Sequence, residues 1–223
     1  MSSPVARLVS IQVGMPIIHG TPGATEALEM PWRTGFYKYP VAGPVWLGRT
    51  NLAGDGQANT RVHGGEDKAV LGYAASHYPK WRTELNLPEM PYGAFAENFT
   101  ISLLDESSVC LGDVYAIGPA RVQVSQPRQP CSNITRRWKL RGLTEKVEAT
   151  GRTGWYMRVL AEGDVLAGEP VVLLERPSPD WSVARATRAM QERAKDAAEV
   201  TALLEVAALS DAWRQTLSGV AAR

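Results

Sequence analysis

Val109-Cys-Leu-Gly-Asp-Val-Tyr-Ala-Ile117, then Gly-Pro-Ala, then Arg121-Val-Gln-Val-Ser-Gln126 reads as two short strands with turn residues between them. Similar runs lie to both sides. Val9, Ile11 and Val13 alternate with Ser10 and Gln12, the pattern of a half-buried strand. Pro44-Val-Trp-Leu47, Ala69-Val-Leu-Gly-Tyr73, Trp155 to Leu160 and Pro170 to Leu174 add further candidates. Strands this dense, broken by Gly and Pro, predict a mainly β barrel or sandwich over residues 5–175 rather than βαβ repeats. One helix interrupts them at Ser76 to Leu85, with Ser76 placed to cap it and Pro79 in its first turn. A second is expected at Ser132 to Leu140.

Directly after the second quoted strand comes Pro127-Arg-Gln-Pro-Cys131. Pro127 and Pro130 fix φ and hold their predecessors extended, which stiffens the approach to Cys131. Arg128 supplies a cation three residues away. A thiol on a stiff loop beside a positive charge is in the setting that lowers a thiol pKa, and the bland alternative is a buried apolar filler. The other cysteine, Cys110, sits in a strand-like context and is expected to be structural.

The composition shifts at Arg176-Pro-Ser-Pro-Asp180, a linker-like segment. Ser182 precedes a face of Val183, Ala186, Thr187 and Met190, and Asp196-Ala-Ala-Glu199 has the form of a capping box. Ser210 stands ahead of a last helix carrying Trp213 and Leu217. The chain thus divides into a β domain at 1–175 and a three-helix module at 176–223. The module is too small to be secure alone and should pack on the β domain or on a partner subunit.

Bulk properties exclude several classes. The formal net charge is +1, with 24 basic and 23 acidic residues interspersed, so no nucleic-acid binding is expected. Two cysteines are too few for a disulfide framework. The start, Met-Ser-Ser-Pro-Val-Ala-Arg-Leu, lacks the continuous apolar core of a secretory signal, and no run approaches a membrane span. These features predict a soluble cytoplasmic protein.

Three further stretches carry candidate chemistry. In Arg61-Val-His63-Gly64-Gly65-Glu-Asp-Lys68, paired glycines permit successive N–H groups to converge on an anion, with Arg61, His63 and Lys68 adding donors and charge. The bland alternative is a tight turn with solvated charges. Asn98, in Glu97-Asn98, either sits in a turn or orients a ligand. Thr150-Gly-Arg-Thr-Gly-Trp155 either lines a pocket or makes a hairpin turn. His19 and His77 have no metal-ligand spacing, and His77 beside Tyr78 and Trp81 suits packing.

Together these stretches carry a resemblance. Asn51-Leu-Ala-Gly-Asp-Gly-Gln57, Val62-His-Gly-Gly-Glu-Asp-Lys-Ala-Val70, Glu97-Asn98, Gly112-Asp113 and Gln126-Pro-Arg-Gln-Pro-Cys131 occur in the order found in MOSC domains. That family is named for the C-terminal domain of molybdenum-cofactor sulfurase. Thr150 to Trp155 and the terminal helices resemble its YiiM-like subfamily, so the likeness covers nearly the whole chain. It implies a β-barrel like the inserted domain of pyruvate kinase, followed by a three-helix module. It also implies molybdenum cofactor (molybdopterin) with Cys131 as ligand to the metal.

In that scheme Arg61, His63, Gly64, Gly65, Lys68 and Arg128 hold anionic groups of the cofactor. Lys38, in Gly35-Phe-Tyr-Lys38, matches a basic position near the family's pocket and is implied as a further cofactor-binding residue. Cys131, His63 and Asn98 are the implied catalytic group. The implied activity is reduction of N-hydroxylated compounds such as purine bases, with electrons from a partner reductase, because the chain carries no flavin, haem or iron–sulfur motif. The alternative is a non-redox carrier of cofactor or cysteine-bound sulfur. A thiol hydrolase using Cys131 and His63 lacks an orienting third group. One departure stands out. Relatives usually have Gly before the Glu-Asn pair and Leu after it, whereas this chain has Ala96 and Phe99. If that position needs positive φ, Ala96 is strained.

Overall fold

A computed structural model describes residues 4–221, so the first three residues of the Met1–Leu8 start lie outside it. The strands are β1 Leu8–Val13, β2 Ile17–His19, β3 Trp32–Thr34, β4 Tyr39–Pro40, β5 Val45–Leu47 and β6 Val70–Ala74. They continue as β7 Phe99–Ile101, β8 Val114–Ile117, β9 Ala120–Pro127, β10 Trp155–Ala161, β11 Gly163–Val165 and β12 Val171–Glu175. The helices are α1 Thr60–His63, α2 His77–Glu84, α3 Asn133–Trp138, α4 Leu143–Thr150, α5 Val183–Gln191, α6 Ala197–Leu204 and α7 Asp211–Ala221.

Eight strands form one mixed sheet in the order β12-β8-β9-β10-β6-β7-β1-β4. Every pairing is antiparallel except that of β6 with β7. The sheet-rich class is as expected, but the closed barrel is corrected to a curled, open sheet. Its two sides meet near the start of β1 at a single bridge, Arg7 to Pro170, flanked by Leu8 N–H to Glu169 O (2.9 Å) and Val171 N–H to Ala6 O (2.8 Å).

Two strand expectations also change. In β1 a register shift between Leu8 and Ser10 breaks the alternation, so Ile11 and Gln12 are both buried while Val9 is exposed. Of the run Val109 to Ile117, only the part from Val114 is a ladder strand. Gly112 has φ +83° and the Cys110 N–H turns onto Asp113 Oδ2 at 2.9 Å, which makes the first half a turn. Cys110 is nevertheless buried, with its thiol on Pro179 O.

Two cores flank the sheet. One joins Val122, Val124 and Met157 to Val183, Met190, Val200, Leu203, Trp213 and Leu217, so the C-terminal helices pack on the β domain. Their caps form as the sequence suggests. Ser182 Oγ accepts from Arg185 N–H (3.1 Å), Asp196 Oδ1 from Glu199 N–H (2.9 Å) and Ser210 Oγ from Trp213 N–H (3.3 Å). The other core is aromatic. Tyr73 and Phe95 stack at 5.0 Å, with Tyr78 and Trp81 of α2 and Ile134 and Val147 of α3 and α4 around them. Ser76 precedes α2 as expected but makes no side-chain cap. Helix α4 was not foreseen; left-handed glycines, Gly142 and Gly151, bound it.

Candidate functional site

A cavity of about 400 Å³ opens where β3 and the following loop, the α1 segment and the cysteine loop converge. Lys38, His63, Lys68, Asn98, Arg128 and Cys131 all line it, although they are scattered through the sequence. Arg61, Gly64 and Gly65 are not among its lining residues, and Arg61 points its exposure to solvent. The glycines do not aim converging donors at an anion either. Gly64 is extended and its N–H is spent on Thr60 O at 3.1 Å, while Gly65, at φ +95°, leads into a short 3₁₀ turn. The anion-holding role expected of this segment therefore falls to side chains.

The cysteine loop leaves the end of β9 and is pinned from both sides. Arg128 N–H donates to Gly154 O at 3.0 Å. Cys131 O accepts from Ile134 N–H (3.0 Å) and from Thr144 Oγ1 (3.2 Å), anchoring the cysteine backbone to α3 and α4. The Cys131 thiol is free and partly exposed at the cavity. The Thr150 to Trp155 stretch is neither pocket lining nor hairpin turn. It links α4 to β10 and supplies the Gly154 carbonyl that holds Arg128. Gly154, at φ +80°, lies so close to β6 that a Cβ there would sit 2.5 Å from Gly72 O. The same glycine donates its N–H to Glu106 Oε1 at 2.7 Å, and His77 packs on the other oxygen of that carboxyl, also at 2.7 Å.

Behind the cavity lining, beneath Lys38 and Asn98, lies a polar network centred on Asp55. Its carboxylate is 1% exposed and accepts from Lys38 Nζ, from Gly14 N–H (2.9 Å) and from Asn98 Nδ2 (2.9 Å). Asn98 also accepts from Leu71 N–H (3.1 Å) and donates to Gln12 O (3.3 Å). Both Nδ2 hydrogens of Asn98 go to protein partners, one of them Asp55, while the residue still lines the cavity. Burial is the main influence on Lys38 and lowers its pKa, against the opposing pull of Asp55 and Glu97.

Glu97 points the other way, into the aromatic core, where Tyr78 Oη, Gly93 N–H (2.7 Å), Phe95 N–H (3.2 Å) and Thr100 Oγ1 (3.0 Å) donate to it. Burial pushes its carboxyl up despite these bonds. The turn this carboxyl organises places Ala96 at φ +63°, so the position does take the left-handed backbone that glycine favours.

The walls are cationic. Arg33, Lys38, Lys68, Arg128 and Arg136 line the cavity, and no Asp or Glu does among the described residues. Arg128 is 3% exposed and donates through Nη2 to Phe95 O (3.2 Å), while its buried Nη1 has no partner. Lys68 donates to Val62 O at 2.6 Å, and burial lowers its pKa. His63 is shifted down as well, first by burial and then by Arg128 and Lys68. A cavity with cationic walls, a histidine whose pKa is lowered and one buried guanidinium nitrogen without a partner offers donors suited to an anion.

A model of the MOSC domain matches residues 59–172, which span the His63, Asn98 and Cys131 motifs. The chain belongs to the MOSC domain family. A second match, to the YiiM-like 3-alpha helix domain, covers residues 181–218, the helical module of this MOSC protein. The chain is 43% identical over 195 residues to the uncharacterized protein YflK of Bacillus subtilis, covering 87% of this chain and 88% of that one. It is 39% identical over 164 residues to a Gibberella moniliformis protein called Reductase, covering 72% of this chain and 29% of that longer one. The crystal structure of YiiM from Geobacillus stearothermophilus superimposes with a TM-score of 0.80 at 36% identity, covering 97% and 99% of the two chains.

The MOSC family takes its name from the C-terminal domain of molybdenum-cofactor sulfurase, which suggests association with that cofactor, and the residues here fit such a group. The donor set is one soft thiolate candidate, Cys131, with cations for phosphate and oxo groups and an orphaned guanidinium nitrogen on Arg128. Among the described residues no three His, Cys, Asp or Glu side chains cluster to hold a bare ion. Tyr156, Trp32, Arg33 and Arg136 line the cavity and Asp55 lies behind it, and none of them stood out in the sequence as a candidate. Asp55 alone had a signal, lying within the Asn51 to Gln57 stretch.

Proposed function

We propose that this MOSC protein is a molybdenum-cofactor oxidoreductase that reduces N-hydroxylated compounds such as N-hydroxylated purine bases. The observation that carries the reading is a free thiol at the edge of a cavity whose charged lining residues are all cations, one of them a buried guanidinium with Nη1 unpaired. In this reading Cys131 is the protein's ligand to molybdenum. Arg128, Lys68 and His63 hold the pterin phosphate and oxo groups by charge-assisted bonds. The cofactor supplies a centre that accepts oxygen with a two-electron change; the protein binds, orients and tunes it.

The chain's own residues have separable tasks. Arg128, fixed by Phe95 O and Gly154 O, sets the charge of the cavity wall beside Cys131. His63, held neutral, offers a donor or an acceptor to the bound anion without adding a formal charge. The open mouth, with Trp32 and Tyr156 among its lining, offers flat surfaces for a planar base. Electrons come from a separate reductase in this account, and the longer relative called Reductase is compatible with both activities being joined in one chain.

The test is to load the protein in a host that makes the cofactor, supply an electron donor and follow conversion of an N-hydroxylated purine to its amine. Stoichiometric amine is the expected product. No turnover, with a persulfide on Cys131 by mass spectrometry, would favour a sulfur carrier instead.

A further inference from the structure

We propose that Lys38 is the proton donor for cleavage of the N–O bond, a proposal that rests on the functional reading above. The overall change is R–NH–OH + 2 H⁺ + 2 e⁻ → R–NH2 + H2O. The N–O bond breaks, the reductase supplies both electrons, and the substrate is reduced as the donor is oxidised. One of the two protons passes from Lys38 Nζ to the departing oxygen, the other comes from solvent, and Lys38 is reprotonated from solvent.

The position of Lys38 carries this assignment. It lines the cavity with a side chain only 6% exposed, and the one hydrogen-bond partner of its ammonium among the described residues is Asp55. An ammonium has three protons to give, so two remain unspent beside the ligand space. Asp55 does not compete for them. It is tied by Gly14 N–H and Asn98 Nδ2 and keeps the lysine aimed.

The backbone that carries Lys38 is held tightly as well. A Cβ on Gly14 would lie 2.1 Å from Tyr37 O, and one on Gly93 would lie 2.7 Å from Lys38 O, so only glycines let these segments approach it. The charged groups facing the amine are Asp55 from the loop after β5 and, more distantly, Glu97 from before β7. Burial outweighs both and makes the ammonium a stronger acid than a surface lysine. The other cavity cations are less suited. The arginines do not give up a proton in this range, and the Lys68 ammonium is directed onto Val62 O.

The test compares wild type with Lys38→Arg, which keeps the charge but not the acid. Lys38→Arg should keep its molybdenum content and lose about 100-fold or more in turnover. It should also lose the alkaline fall in rate that wild type shows as Lys38 deprotonates. Independently, NMR of protein carrying ε-¹³C-lysine should show one resonance, absent in Lys38→Arg, that titrates below the ordinary lysine range. A folded, loaded Lys38→Arg with wild-type rate and pH profile overturns the proposal, as does a Lys38 resonance at the ordinary value. Wild type that reduces no N–OH compound overturns the functional reading itself, and the proton-donor role falls with it.

Discussion

Asn98 donates to Asp55 Oδ2 at 2.9 Å, and through that carboxylate it fixes the one buried lysine of the cavity. The asparagine expected to orient a ligand thus also supports Asp55 from the cavity lining. Replacing it with Ala leaves the Leu71 N–H, the Gln12 carbonyl and one Asp55 oxygen short of a partner in a buried setting. Asn98→Ala should lose about 2–4 kcal/mol, measured by urea denaturation. A loss under about 0.5 kcal/mol would leave Asn98 a ligand-contacting role alone.

Ala96 holds φ +63°, in the left-handed region that favours glycine. The left-handed conformation costs an L-residue about 1–2 kcal/mol, and the greater freedom of unfolded glycine returns part of that. Ala96→Gly should stabilise the protein by about 0.5–1 kcal/mol, seen as a higher urea midpoint at unchanged slope. A lower midpoint would mean that the methyl's packing outweighs the strain.

His63 gives a pH signature. Its folded pKa lies below the ordinary 6.5, so between the two values the unfolded chain binds more protons and stability falls as the solution is acidified. His63→Gln should fall less steeply over that window. His19 is also shifted down but is common to both proteins and cancels in the comparison. Arg128→Met removes one of the named causes, so His63, followed by NMR, should titrate closer to 6.5. An unmoved titration would separate the two residues electrostatically.

Much of this arrangement is legible in the chain because it depends on local chemistry. Ser182, Asp196 and Ser210 form the caps their residue types suggest, and the strand runs from Ala69 to Leu174 fall close to real strands. The Ala96 strain follows from one residue in one motif. The illegible parts are set by distant contacts. The bulge in β1 turns Gln12 inward, and the two sides of the sheet meet only at the Arg7–Pro170 bridge. Likewise, Arg61 carries the right charge in the right stretch, yet the path of α1 leaves it exposed and away from the cavity lining. Asp55 shows the reverse. Nothing in an Asp between two glycines announces that Gly14, Lys38 and Asn98 will converge on it.

The central claim is that Cys131 ligates a molybdenum cofactor through which this chain reduces N–OH compounds. It is tested most directly by purifying wild type and Cys131→Ala from a cofactor-competent host and measuring bound molybdenum and N-hydroxypurine reduction on the same samples. Wild type should carry molybdenum and turn over, and Cys131→Ala should have no activity, whether or not some cofactor remains in the cationic cavity. A Cys131→Ala protein that retains molybdenum and reduces the substrate at the wild-type rate would contradict the assignment.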